Sequence, residues 1–389
     1  MQRNIDPTRV FTVHVKNKKD ISNRINSDLD IITDIILAHF SNIESLILAG
    51  GFGRTEGSVL VHNDIIQPIN DYDIYIITKD DSCSSDIESI RNIISNRIQI
   101  RQVDIEIIQL NKLKYSKPTM ANYDLKYASY IFYGNKNVLD AIPSIDPYKL
   151  GLKEGRTPLL LYLISIIQSY PFKKSNERTQ NEEFWMYQQI CKSILGWSTA
   201  LLILKGKYHS SYAERAKIFS STFDNKVWCN LVEKATEFKL YPHLNIGEDL
   251  DSLWNLNKNE HMKVLKIFLS EYYSTNYNSK NYNNNWLAMV KDYRNDYENI
   301  LRKVYGWIFF KTSYKDRINL TVIEILLLST KSEKEIDSYL LEKINNEINK
   351  FNKDQQKEYS WESAMKFCID NDPNCKIWKD RGSSIFYNL

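Results

Sequence analysis

The chain's 389 residues predict an α+β protein, and three observations carry that expectation. Apolar and β-branched runs that suit strands fall within the first 150 residues: 46–48, 71–77 and 98–110. An amphipathic segment at 23–40 precedes the first of them, and a helical pattern at 85–97 separates the second from the third. Beyond Pro143 strand patterns nearly vanish and apolar residues recur at helical spacing.

Each element has a local reason. Leu46, Ile47 and Leu48 form a short apolar strand that runs into Gly50, Gly51 and Gly53, where the missing Cβ lets backbone approach a ligand. In Asp71-Tyr72-Asp73-Ile74-Tyr75-Ile76-Ile77 side chains alternate between faces, so Asp71 and Asp73 project the same way. Two parallel carboxylates with no lysine between them repel, and a divalent cation with a preference for hard oxygen ligands relieves that repulsion. In the third run Asp104 and Glu106 share a face, and either can supply a third acid. A glycine turn beside such acids suits phosphate and metal together. The bland reading of the acids is a strand whose solvent face happens to be charged, which runs against the depletion of Asp in strands.

In this order the residues resemble the DNA polymerase β-type nucleotidyltransferase superfamily: Gly50-Gly51 as the small-residue turn, Asp71-Tyr72-Asp73 as the acid-apolar-acid strand, and Val103-Asp104-Ile105 as the third. The resemblance favours Asp104 over Glu106. Arg54 stands where many members carry an arginine, and Thr55 stands where they usually have glycine. The resemblance implies a polymerase β-like domain, a mixed sheet with flanking helices, followed by a mostly helical part that closes a cleft. It implies Mg²⁺ or Mn²⁺ held by Asp71, Asp73 and Asp104, an NTP as substrate, and NMP transfer to an acceptor hydroxyl with release of pyrophosphate. Gly50, Gly51 and Arg54 are the expected nucleotide contacts. Residues 191–219 are similar to a helical region in bacterial and archaeal members and add Lys192 and Arg215 as candidate triphosphate ligands. The bland reading of that pair is a lysine lying along the surface and a packed Tyr212–Arg215 ridge.

Two other phosphate motifs fit less well. The sugar-1-phosphate nucleotidylyltransferases also open on a strand and a G-G-x-G-T-R loop, but here the order is Arg54-Thr55 and no Pro-Lys follows. A Walker loop needs Gly-Lys-Ser/Thr after the glycines, which is absent.

Composition narrows the partners. Residues 1–150 carry 17 basic and 19 acidic side chains in a chain of net charge +3, which argues against a protein that grips long nucleic acid through its phosphates. A small molecule or saccharide is the expected acceptor; a tRNA-directed or protein-directed transferase, or a module that binds nucleotide without turnover, are the alternatives. The longest apolar stretch, 159–167, is too short for a bilayer, and the polar start lacks a signal-peptide core, so the expected place is the cytoplasm. Five dispersed cysteines, Cys83, Cys191, Cys229, Cys368 and Cys375, read as reduced thiols. His62 falls in an expected loop before the acids.

The expected organisation is a catalytic domain at 1–150, a hinge at 151–156, a helical domain at 151–275, an exposed Asn/Tyr-rich linker at 276–285 and a helical subdomain at 286–389. Tyr208, Tyr212 and Trp197 are expected to offer aromatic surface near the cleft. Helices are expected at 158–170, 182–204, 211–219, 226–238, 250–273, 286–310, 320–328, 333–349 and 360–370.

Overall fold

The structure is a computed structural model that describes residues 2–13, 17–63, 65–69, 71–80, 86–276, 286–295, 313–330, 338–352 and 357–372. In chain order its elements begin α1 (Lys18–His39), β1 (Ile43–Leu48), a single turn α2 (Gly50–Gly53), β2 (Val59–His62), β3 (Ile65–Pro68), β4 (Tyr72–Thr78), α3 (Ile87–Ile98), β5 (Val103–Gln109), α4 (Met120–Tyr127) and β6 (Tyr130–Gly134). Helices follow: α5 (Leu152–Leu161), α6 (Leu163–Gln168), α7 (Gln180–Leu204), α8 (Tyr212–Thr222), α9 (Lys226–Leu240), α10 (Leu250–Asn276), and then Trp286–Asn295, Ser313–Leu328, Ser338–Asn352 and Trp361–Asn371. The class is α+β, as expected. None of the helices among the described residues is long and apolar enough to cross a membrane.

Contacts divide the chain into two compact units. Among the described residues, the first joins those up to Glu154 to Lys205–Asn245, and the second joins Gly155–Leu204 to those from Ile246 onward. This departs from the expected boundary after residue 150: the break falls inside the expected hinge, but the α8–α9 pair groups with the sheet. From residue 277 the expected linker lies outside the described residues, as do part of the expected helix at 286–310 and Cys83 and Cys375. Cys191 and Cys229 are free thiols.

The first unit holds a mixed four-stranded sheet in the order β5-β4-β1-β6, with β4 and β5 parallel and β1 antiparallel to both neighbours. Its apolar face follows from period two: Leu46 and Leu48, Tyr72, Ile74 and Ile76, and Val103 and Ile105 join one core with Ile21, Ile25, Leu29, Ile32 and Ile36 of α1. Those α1 positions recur every three or four residues, which puts them on one stripe, and each isoleucine so buried contributes roughly 2–3 kcal/mol. Helix α3 adds Ile90, Ile94 and Ile98, and starts at Asp86, whose side chain accepts the Ser89 amide at 3.2 Å. The buried side chain of Tyr72, which follows Asp71 and precedes Asp73 in sequence, points to the core, where its hydroxyl donates to Asp28 of α1 at 2.7 Å, and Asp28 also accepts from Arg24. This contact fixes which face of β4 meets α1. Asp71 and Asp73 are thereby held to the opposite face.

Two local features differ from expectation. β2 and β3 pair antiparallel as a hairpin, and Asn63, after β2, takes φ 47°, so His62 ends a strand and is exposed. Two short β-branched runs, Val59-Leu60-Val61 and Ile65-Ile66, separated by a few residues, are a hairpin pattern that the loop expectation passed over. The expected single helix at 158–170 is two: α5 begins earlier and carries Pro158 in its interior, and a turn at Tyr162 separates it from α6. Pro158 has no amide to give to the carbonyl four residues back, which weakens the ladder there.

The second unit is helical. Its two longest helices, α7 and α10, are registered by a buried polar relay. Trp197 Nε1 donates to Asn257 Oδ1 at 3.2 Å, Asn257 Nδ2 to Ser193 Oγ at 3.0 Å, Ser193 to His261 Nδ1 at 2.9 Å, and His261 Nε2 to the Leu159 carbonyl at 2.8 Å. Trp197 is therefore a core residue with no exposed surface, which corrects its expected place at a cleft.

Burial pushes His261 down to about 4 from its ordinary 6.5. Below pH 6.5 the unfolded chain takes up a proton that the folded chain refuses, so stability falls as pH drops from 6.5 toward 4. In urea unfolding between pH 7 and pH 5, the wild type should lose about 2 kcal/mol more than His261→Gln. Comparing the two proteins cancels the other titrating groups. An equal loss in both would show that His261 is not held neutral.

Candidate functional site

The glycine turn and the strand acids meet in the first unit. Gly50 adopts φ 62°, and a Cβ built on it would lie 1.7 Å from Asp73 Oδ2. Only glycine meets both demands, the left-handed backbone and the close approach. The turn is pinned to β4 by the Ala49 amide, which donates to the Asp73 carbonyl at 2.8 Å. Gly51 follows, buried, with its carbonyl accepting the Glu56 amide. Thr55 takes φ 67° where the resembling family usually has glycine, so the path is the one a glycine would take. A β-branched residue there costs on the order of 1–2 kcal/mol.

Register settles which acid neighbours the pair. Asp104 is the direct partner of Asp73 across the parallel β4–β5 ladder, while Glu106 is opposite Tyr75. Glu106 accepts the Tyr75 hydroxyl and is exposed, whereas Asp71, Asp73 and Asp104 are half-buried on one face. Gln102 Nε2 donates to Asp104 at 2.6 Å. Burial, then the Asp71 and Asp104 carboxylates, push Asp73 up to about 7 from 3.8. Arg54 and Lys239 offset only part of that.

A cationic group faces these acids. Arg54 donates to Asp124 at 2.7 Å, and Tyr208 donates to the same carboxylate at 3.0 Å. The guanidinium of Arg215 lies 4.0 Å from the ring centre of Tyr212, with Arg54 at 5.3 Å and the Lys239 ammonium at 5.5 Å. Burial raises the Tyr212 phenol, but Lys239, Arg215 and Arg54 outweigh it and lower its pKa. Burial also lowers Lys239, while Tyr212, Asp71 and Asp73 pull it back up. Three cations around one phenol form a place where negative charge is stabilised.

The loop that leaves the glycine turn holds this arrangement. Buried Glu56 accepts from Ser211 Oγ at 2.7 Å and from the Tyr212 and Ala213 amides at 2.8 and 3.1 Å, while Ser211 Oγ caps the Glu214 amide. The amides at the start of α8 are thus filled by protein groups. Ser58 Oγ donates to the Lys239 carbonyl near the end of α9. One short loop therefore ties both ends of the α8–α9 pair to the sheet.

Of the sequence candidates, the first unit brings together Gly50, Gly51, Arg54, Asp71, Asp73, Asp104 and Arg215. Lys192 is half-buried on α7, in the other unit, and is not among them. Tyr208 is buried against Asp124 and offers no open surface. Lys239, Glu56 and Asp124 were not anticipated. The expected helix at 226–238 stopped one residue short of Lys239, and Glu56 shows its role only once residue 211 is known to lie beside it.

The donor set of Asp71, Asp73 and Asp104 is all carboxylate oxygen, and the raised Asp73 reflects its burial and then repulsion from Asp71 and Asp104, which a cation would relieve. Both suit Mg²⁺ or Mn²⁺ and not a soft-ligand metal. Among the described residues no group of three or more His, Cys, Asp or Glu side chains is disposed to hold a metal ion as they stand. No protein-family model matches the chain, and no curated protein matches it in sequence.

Glu56→Ala should lower the unfolding free energy by about 3 kcal/mol, since it strands the α8 amides and removes charge-assisted hydrogen bonds; Glu56→Gln, which keeps an acceptor, should lose less than half of that. Denaturant titration of both variants checks it. Unchanged stability in the alanine variant would show that the loop does not hold the helix pair.

Proposed function

We propose that the chain is a polymerase β-like nucleotidyltransferase that moves a nucleoside monophosphate from an NTP to an acceptor hydroxyl. One observation carries this reading: Gly50, in the left-handed conformation, lies against the carboxylate of Asp73, which has Asp104 as its ladder partner and Asp71 two residues before it. A turn that exposes backbone beside grouped acids suits a metal–triphosphate, and the Arg54, Arg215 and Lys239 cations supply countercharge on the same unit.

In this reading Asp71, Asp73 and Asp104 would hold Mg²⁺ or Mn²⁺. The metal, when bound, supplies charge neutralisation and a more acidic attacking hydroxyl. Gly50 and Gly51 present backbone to the β and γ phosphates, while Arg54, anchored by Asp124, offsets charge on the departing pyrophosphate. Arg215 and Lys239 take the phosphate tail, replacing Lys192 in that role. The acceptor hydroxyl would pass its proton to the Asp104 carboxylate as its oxygen bonds to the α-phosphorus, the bond from that phosphorus to the bridging oxygen breaks, and pyrophosphate leaves with the bonding electron pair. A small molecule or saccharide remains the favoured acceptor because the chain's charge is nearly balanced. A second reading, a module that binds nucleotide without turnover, is favoured by the absence of an ion-ready trio among the described residues.

The test is pyrophosphate release from each of the four NTPs with Mn²⁺ and an extract of candidate acceptors. Asp73→Asn should lower the rate by at least about 10³-fold, several kcal/mol of lost metal catalysis, with the fold intact. Wild-type rates in a folded Asp73→Asn protein would refute the mechanism, and NTP binding without any release would favour the second reading.

A comparison of strand neighbours gives a further expected outcome. Asp104→Asn should depress turnover by about 10²-fold or more, whereas Glu106→Gln should stay within about threefold of wild type, because Glu106 is engaged by Tyr75. Steady-state kinetics of the two variants decide it, and the reverse ranking would move the third acid to Glu106.

A further inference from the structure

We propose that Arg9 is a positioning residue that clamps the exit of the glycine turn and so holds Arg54 in place for the nucleotide. This rests on the nucleotide reading above and assigns a residue that stands outside the acids and cations of the site.

The clamp comes from the segment that precedes α1. Arg9 Nη2 donates to the Gly53 carbonyl at 2.7 Å, and the Phe11 carbonyl accepts the Gly57 amide at 3.0 Å. Two residues of one short segment thus hold both ends of the stretch 53–57, which carries Arg54, the left-handed Thr55 and buried Glu56. Gly53 closes the single turn α2, so its carbonyl has no following turn of helix to supply a donor. Arg9 supplies one. The Gly53 carbonyl and the Arg54 amide belong to one rigid peptide plane, so the bond that fixes the first also fixes the second, which donates to the Gly50 carbonyl at 3.2 Å. A strained residue such as Thr55 persists only where its surroundings over-determine it, and the two held ends do that.

The clamp is seated on the sheet edge. The Arg9 guanidinium lies 4.0 Å from the ring centre of Tyr130, the first residue of β6, and 5.6 Å from that of Phe11. The Tyr130 hydroxyl accepts the Asp6 amide at 2.8 Å and donates to the Asn4 carbonyl at 2.7 Å, while the Asn4 amide donates to the Phe132 carbonyl at 2.8 Å. Phe11 is fully buried in the core of the sheet. Packing alone does not call for arginine at this seat: Nε is buried with no hydrogen-bond partner among the described residues, and burial lowers the guanidinium's pKa. An apolar side chain would cover the same rings without that cost. What arginine adds is a flat cation that lies on tyrosine and still reaches a carbonyl.

The test combines hydrogen exchange with pyrophosphate release in Arg9→Met, which keeps an apolar stem and loses the donor, and in Arg9→Lys, which keeps a donor. Arg9→Met should speed exchange of amides 54–57 about tenfold or more with the β4 amides unchanged, and Arg9→Lys should recover most of the protection. Tyr130→Leu, which removes the seat, should reproduce the Arg9→Met pattern and serves where that variant folds poorly. In folded protein Arg9→Met should lower the rate of release about tenfold, yet in an Arg54→Gln background it should cost less than about twofold more, since it acts through Arg54. Wild-type exchange at 54–57 in both Arg9→Met and Tyr130→Leu would overturn the clamp, and a full tenfold loss in the Arg54→Gln background would overturn its action through Arg54. Wild-type protein that binds no NTP and releases no pyrophosphate would overturn the nucleotide reading instead, and exchange would still decide the clamp.

Discussion

The arrangement depends on one buried carboxylate. Glu56 follows the glycine turn by three residues and accepts three hydrogen bonds from the start of α8, which is more than 150 residues away in sequence. Through that contact, and through Ser58 at the far end of α9, the chain places Arg215, Tyr212 and Lys239 on the same unit as the strand acids. A buried charge is tolerated only when its hydrogen-bonding capacity is met, and the α8 amides, at the positive end of the helix, meet it. The same contact that satisfies Glu56 also uses up the helix terminus. Any phosphate arriving there must be held by side-chain cations.

The electrostatics of the unit are those of two groups held close without neutralising one another. Asp73 is raised because it is buried beside Asp71 and Asp104, and the nearby Arg54 and Lys239 do not cancel the effect. Arg54 is committed to Asp124, and Lys239 shares Tyr212 with Arg215. Acids that remain strained and cations that remain concentrated suit a ligand that carries both signs, which a metal–triphosphate does.

The strand acids and the glycine turn were legible in the sequence because they depend on local rules. Period-two alternation is enough to put Asp71 and Asp73 on one face, and the buried Tyr72–Asp28 contact makes the opposite face the core. The preference for Asp104 came from family resemblance, and the parallel register supplies an independent reason for it. What escaped was either long-range or hidden by a short signal. Glu56 and Lys239 matter through partners far along the chain. The β2–β3 hairpin was marked only by two short apolar runs, 59–61 and 65–66. Trp197 looked like surface because helical spacing alone does not say which helix covers an aromatic ring, and here Asn257 of α10 takes its indole proton.

The central claim is that the acids and cations of the first unit together hold a metal–triphosphate. A crystal soaked with Mn²⁺ and a non-hydrolysable NTP analogue tests it most directly, by anomalous scattering. The account predicts a Mn²⁺ peak at about 2.0–2.2 Å from oxygens of Asp71 and Asp73, as expected for a small hard cation, with the phosphate chain against Gly50, Arg54, Arg215 and Lys239. A peak elsewhere, or a triphosphate bound away from the glycine turn, would contradict it.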